Sequence, residues 1–236
     1  MSYIDGFVAA VPAANKEIYL KHATAALPLF KEFGASRLVE TWGDDVPEGK
    51  VTDFRRAVKA EPDEVIVFSW IIYPDRDARD KAGKKMMEDP RMEDFSDMPF
   101  DGKRMIYGGF APISESGNGD SFGYVDGSLT PVPIARRDEF KAYADRYSPI
   151  FLEYGATKIV DAWGDDVPDG KITDYRRAVN ATDDETVVFS WIAWPSKAVH
   201  DEAWPKITAD PRMQEAEAPF DLRRLVYGGF TPILDA

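Results

Sequence analysis

The stretch WGDDVPEGKVTDFRRAV at Trp42–Val58 returns as WGDDVPDGKITDYRRAV at Trp163–Val179, 121 positions later. That offset holds without a gap from Tyr3/Tyr124 to Met92/Met213. One deletion then changes it to 120, which matches Pro99 with Pro219 and Tyr107 with Tyr227. Between Gly34 and Trp70, 24 of 37 positions are identical to their partners. A chain built this way folds as two copies of one unit, and each copy can bury a face that the other leaves open. The expected division is residues 1–114, a linker at 115–121 and residues 122–236. The linker, ESGNGDS, has a flexible composition and at ~3.5 Å per residue spans roughly 24 Å.

Each unit reads alike. Tyr3–Val11 is β-rich and alternates loosely, so it is a strand. A helix follows near Asn15–Phe33. Its stripe Tyr19, Ala23, Ala26, Phe30, Phe33 recurs as Phe140, Ala144, Tyr147, Phe151, Tyr154, and steps of four and three place it on one face. Pro28 and Pro149 interrupt the helices, and Gly34 and Gly155 end them. Ser36–Trp42 is a second strand, Phe54–Ala60 an extended piece, and Val65–Tyr73 an apolar strand buried on both faces. Asp75 and Ser196 suit the N-caps of a second helix, which ends near Asp89-Pro90 and Asp210-Pro211. Lys103–Ile113 is the last strand. The order β-α-β-(β)-β-α-β is a ferredoxin-like split unit of the α+β class, with one bare sheet face. Two tandem copies packed sheet to sheet form a pseudo-dimeric α+β barrel within one chain.

The motifs YIDGF, WGDDVPxGKxTDFRRAV, VVFSW, DPRM and PFDxKRxxYGGF resemble those of the YbaA-like bacterial proteins, domain of unknown function 1428. The resemblance spans Tyr3–Ile113 and Tyr124–Ile233. It implies the dimeric α+β barrel fold, normally assembled from single-copy chains of half this length, with the homodimer here made internal. Members often carry Cys before the motif Trp. This chain has Thr41 and Ala162 there, so a thiol role does not carry over.

Charge and composition exclude several functions. The chain has 29 Lys and Arg against 42 Asp and Glu, with the deficit shared by both repeats, so no cationic surface exists for nucleic acid or an anionic membrane. No stretch reaches the ~18 apolar residues of a membrane span. Without cysteine there is no disulfide, thiolate metal site or cysteine nucleophile. A soluble cytoplasmic protein is expected, a monomer or weak homodimer without a cofactor.

The candidate site residues lie on the strands. Adjacent Asp44 and Asp45 in an extended segment point opposite ways, so WGDDVPEG reads as a turn-bearing arm whose acids pair with Arg55 and Arg56 rather than as a metal site. Asp5 and Asp126 fall mid-strand, where an acid is either paired or functional. Glu40 and Asp161 share a strand face with Trp42 and Trp163. If that face lines the space between the sheets, each half offers an acid beside an indole, with Tyr107 or Tyr227 as a phenolic partner. Such a pocket takes a small apolar or aromatic molecule, and its acid can serve as a general base. The competing reading pairs Asp5 and Glu40 with Arg37, Arg55 or Arg104 in a barrel filled by its own side chains: a structural, interaction or stress-related module. His22 and His200 have no His counterparts and read as surface residues.

Overall fold

Local signals and strand alternation build the same unit twice in the computed structural model, which describes residues 2–236. The first repeat runs β1 (Tyr3–Pro12), α1 (Lys16–Phe33), β2 (Arg37–Asp45), α2 (Phe54–Ala57), β3 (Glu64–Tyr73), α3 (Arg76–Glu88) and β4 (Ile106–Gly117). The second runs β5 (Tyr124–Pro133), α4 (Arg137–Glu153), β6 (Lys158–Asp166), α5 (Tyr175–Ala178), β7 (Glu185–Trp194), α6 (Lys197–Ala209) and β8 (Val226–Asp235). Gly34 closes α1 in the left-handed conformation, φ 117°. Asp75 caps α3 by accepting from the Ala78 amide at 2.8 Å, and Ser196 caps α6 through Val199. Pro28 and Pro149 lie inside α1 and α4.

The segment expected to be extended at 54–60 begins instead as the short helix α2. Asp53 precedes it and its carboxylate accepts from the Arg56 amide at 2.8 Å, so TDFRR is an N-cap and first turn. The last strand begins at Ile106 and continues to Gly117, so the first three residues of the expected linker are strand. The reason is pairing: the end of β4 lies antiparallel to β6 of the other repeat, with Glu115 opposite Val160.

The eight strands close in the order β1-β3-β2-β8-β5-β7-β6-β4, with β4 returning to β1. The sheets therefore face one another and are also hydrogen-bonded along both edges, β2 to β8 and β4 to β6. Closure leaves no free strand edge among the described residues. Even-numbered residues of β1 and β3 and odd-numbered ones of β5 and β7 point into the barrel. Phe68 stacks on Phe189 with centroids 4.4 Å apart, Trp70 on Trp191 at 4.6 Å, and Phe110 meets Tyr175 edge-on at 5.1 Å. The glycines of YIDG and YVDG make this possible: a Cβ on Gly6 would lie 2.8 Å from the Phe189 ring, and one on Gly127 2.9 Å from Phe68.

The duplicated motif helps lock the halves together. Thr52 donates to the Ala178 carbonyl and Thr173 to the Ala57 carbonyl, both at 2.6 Å, while Phe54 and Tyr175 enter the common aromatic core. Its acids do not pair with Arg55 and Arg56 as expected, apart from the capping Asp53, which lies 3.4 Å from Arg56. Arg55 donates to the Glu61 and Glu64 carbonyls. Asp165 and Asp166 reach across to Arg76 and Arg79 of the first repeat, at 2.7 and 2.6 Å.

Candidate functional site in the second repeat

Alternation that sends Phe189 and Trp191 into the barrel sends Ser190 and Ile192 outward, toward α4 and α6. Glu40, Asp161, Trp42 and Trp163 point the same way, so their strand face meets the helices and not the space between the sheets. The lumen is occupied by aromatic rings. Between this outer face and the helices lies a cavity in each repeat, about 280 Å³ in the first and 550 Å³ in the second.

In the first cavity Glu40 has no arginine partner. Its Oε2 accepts from the Tyr19 hydroxyl at 2.6 Å and from the Ser69 hydroxyl, and burial raises its pKa against those two hydrogen bonds. In the second, Asp161 Oδ1 accepts from Ser190 Oγ at 2.7 Å. Its Oδ2 has no protein partner among the described residues. Burial pushes Asp161 up to about 6, opposed by the Ser190 hydrogen bond, so this carboxyl changes protonation close to neutrality.

A second polar cluster stands at the other end of the second cavity. Trp194 Nε1 donates to Asp126 Oδ2 at 2.8 Å, and His200 Nε2 lies 3.1 Å from Asp126 Oδ1. His200 Nδ1 is 2.8 Å from Asp201. Burial pulls the imidazole pKa down, but the flanking carboxylates outweigh it and the net shift is upward, and the protonated ring donates to both. Trp204 stacks on the imidazole at 5.6 Å. The counterpart in the first repeat is a half-buried ion-pair cluster: Arg79 bonds Asp5 at 2.7 Å and Asp166 at 2.6 Å. Burial pushes Asp5 up to about 6 although Arg79 pulls it down. Arg37 pairs with Asp235 and Arg104 with Glu64, so none of the three arginines expected beside Asp5 or Glu40 is there.

Of the expected site residues, Asp126, Asp161 and Tyr227 border the second cavity, joined by Asp45 from the other repeat. Glu40 lines the first. Trp42 and Trp163 are buried packing residues, Trp42 against Tyr19. Tyr107 is 51% exposed and stands away from Glu40, on a separate groove. Sequence reasoning missed His200, which is mostly enclosed rather than a surface residue. Its signal was the replacement of Arg79 by His at a position facing the first-strand acid. Among the described residues, no three His, Asp or Glu side chains converge on a metal site.

A family model described as "Protein of unknown function (DUF1428)" matches residues 2–102 and again 123–222, once on each repeat. The chain belongs to the DUF1428 family. Uncharacterized protein YbaA of Escherichia coli K12 is 65% identical over 114 residues, covering 48% of this chain and 97% of that one, and the Shigella flexneri protein matches equally. Among solved structures, a putative monooxygenase from Lactobacillus acidophilus aligns over 100% of this chain and 95% of its own, with TM-score 0.58 and 10% identity. An anthrone oxidase-like protein aligns over 100% and 92%, with TM-score 0.55 and 12% identity. At these identities the likeness is one of fold. No helix among the described residues is long and apolar enough to cross a membrane.

Proposed function

We propose that this DUF1428 protein binds a small apolar or aromatic molecule in the outer-face cavity of its second repeat. The observation that carries the proposal is a 550 Å³ aromatic-walled cavity holding a carboxyl oxygen without a protein partner. Asp161 is the group that accepts a proton or hydrogen bond there. A ligand with an acidic O–H or C–H placed on it would make the site a cofactor-independent proton-transfer centre. The Asp126–His200 pair, with Trp204, forms the opposite wall.

The first-repeat cavity is half the size: Phe7 stands where the second repeat has Ser128, and the lining does not run on to the first-strand acid as the second cavity does to Asp126, His200 and Trp204. The filled lumen favours the structural reading for the barrel interior alone, since the ligand space lies outside it. With every described strand edge paired, a monomer is the proposed state. Cytoplasmic placement belongs to the same proposal.

The test is native mass spectrometry of gently purified protein beside Ser128→Phe, which reinstates the first repeat's aromatic plug. A non-covalent adduct present in the unaltered chain and absent from Ser128→Phe supports the cavity. An adduct that persists in Ser128→Phe places the ligand elsewhere.

A further inference from the structure

The two outer-face cavities occupy equivalent places, and the differences between them describe a ligand. In the first, the chain presents its own phenol to its own buried acid: Tyr19 donates to Glu40 Oε2 at 2.6 Å, beside the Ser69 hydroxyl. In the second, Phe140 replaces Tyr19, Asp161 replaces Glu40 and Ser128 replaces Phe7, while Ser190 keeps its bond to the acid at 2.7 Å. The phenolic oxygen is deleted, the carboxyl is withdrawn by one methylene and a ring is removed. The second cavity is the larger, about 550 against 280 Å³, and it reaches on to Asp126, His200 and Trp204. What is absent beside Asp161 is a hydroxyl carried on an aromatic ring.

We propose that the second-repeat cavity binds a hydroxyarene, whose phenolic O–H donates to Asp161 Oδ2 while its rings lie between the sheet and the aromatic side chains of α4. This rests on the reading of that cavity as a ligand site. The sheet register supports the size. Ser128, Ser190 and Asp161 are directly opposed across β5, β7 and β6. Asp126 is one same-face step from Ser128, so Asp126 and Asp161 stand ~12 Å apart at ~3.4 Å per residue and ~4.8 Å per strand. That separation suits a two-ring skeleton, with the hydroxyl at Asp161 and the far ring toward Trp204. An aliphatic alcohol would satisfy Asp161 but make less use of the aromatic wall of Tyr143, Tyr147 and Phe151, rings that pack on one another and on Phe220 and Trp204.

The test titrates the full chain at pH 7.5 with 2-naphthol and 4-phenylphenol, each beside its methyl ether, by calorimetry. Each phenol is expected to bind at one molecule per chain, roughly 10- to 100-fold tighter than its ether, as a hydrogen bond to a charged acceptor requires. Asp161→Ala should reduce that ratio below threefold without weakening the ethers. The combined Phe7→Ser, Tyr19→Phe and Glu40→Asp chain, which copies the acid end of the second cavity into the first but not its Trp204 wall, should bind a second molecule of each phenol more weakly than the first. Phenols and ethers binding the unaltered protein equally would overturn the hydroxyl assignment and leave the cavity reading standing. Failure of all four probes to bind at millimolar concentration would overturn both. If Asp161→Ala does not fold, the phenol-to-ether ratio of the unaltered protein decides.

Discussion

Asp161→Asn should make the protein more stable at neutral pH, and the pH dependence of the gain identifies its cause. The folded chain holds the Asp161 proton more tightly than the unfolded chain does, because burial moves the carboxyl from its ordinary 3.8 to about 6. Well below pH 3.8 both states carry the proton and the ionisation term vanishes. As pH rises, the unfolded chain releases its proton first, so the native state is progressively disfavoured until its own carboxyl ionises near 6. The full displacement is worth roughly 3 kcal/mol, with some screening by water in the cavity bringing it to about 2. An asparagine keeps an acceptor for Ser190 and has nothing to ionise. Urea unfolding of both proteins should show the smallest difference at pH 3 and a difference of about 2–3 kcal/mol in favour of Asp161→Asn above pH 7, with most of the change between pH 4 and 6. The other carboxylates titrate in both proteins and cancel. A difference that does not vary with pH would refute the claim that the acid is held in a desolvated pocket.

Tyr19→Phe removes one of two donors from buried Glu40 and should cost about 1–2 kcal/mol in urea unfolding. The combined Thr52→Val and Thr173→Val chain leaves the Ala178 and Ala57 carbonyls without these donors, and should lose about 2–4 kcal/mol and broaden the unfolding transition by loosening one repeat from the other. Gly6→Ala sets a methyl 2.8 Å from the Phe189 ring, and a loss of about 1–3 kcal/mol in thermal or urea unfolding is expected. For His200, raised above its ordinary pKa by Asp126 and Asp201, the contribution is fully present below pH 6.5 and fades as pH climbs through the folded value. His200→Gln should therefore destabilise more at pH 5.5 than at pH 9, and the reverse order would refute the ion-pair assignment.

Much of the architecture was legible because it rests on short-range rules. Repetition of WGDDVP, the apolar stripe of Tyr19, Ala23, Ala26 and Phe33, and the caps at Gly34, Asp75 and Ser196 are each visible within a few residues. The helix α2 escaped because a single turn is too short to show periodicity, although Asp53 before Phe54 was its cap. The face of the candidate site was misassigned for a different reason: β3 and β7 are apolar on both sides, so nothing in VIVFSWIIY says which side is lumen.

Sequence alone determined that the chain is a duplicated α+β unit, that its candidate acids lie within strands, and that its net charge is strongly negative. Tertiary structure decided where those acids point. The aromatic rings of Phe68, Trp70, Phe189 and Trp191 need the lumen to themselves, with Gly6 and Gly127 making room, and strand alternation then forces Glu40 and Asp161 outward under the helices. Only that packing brings His200 to Asp126 across 74 residues of chain. It also lets two small changes in side-chain length, Tyr19 to Phe140 and Glu40 to Asp161, help turn a self-satisfied cavity into an open one.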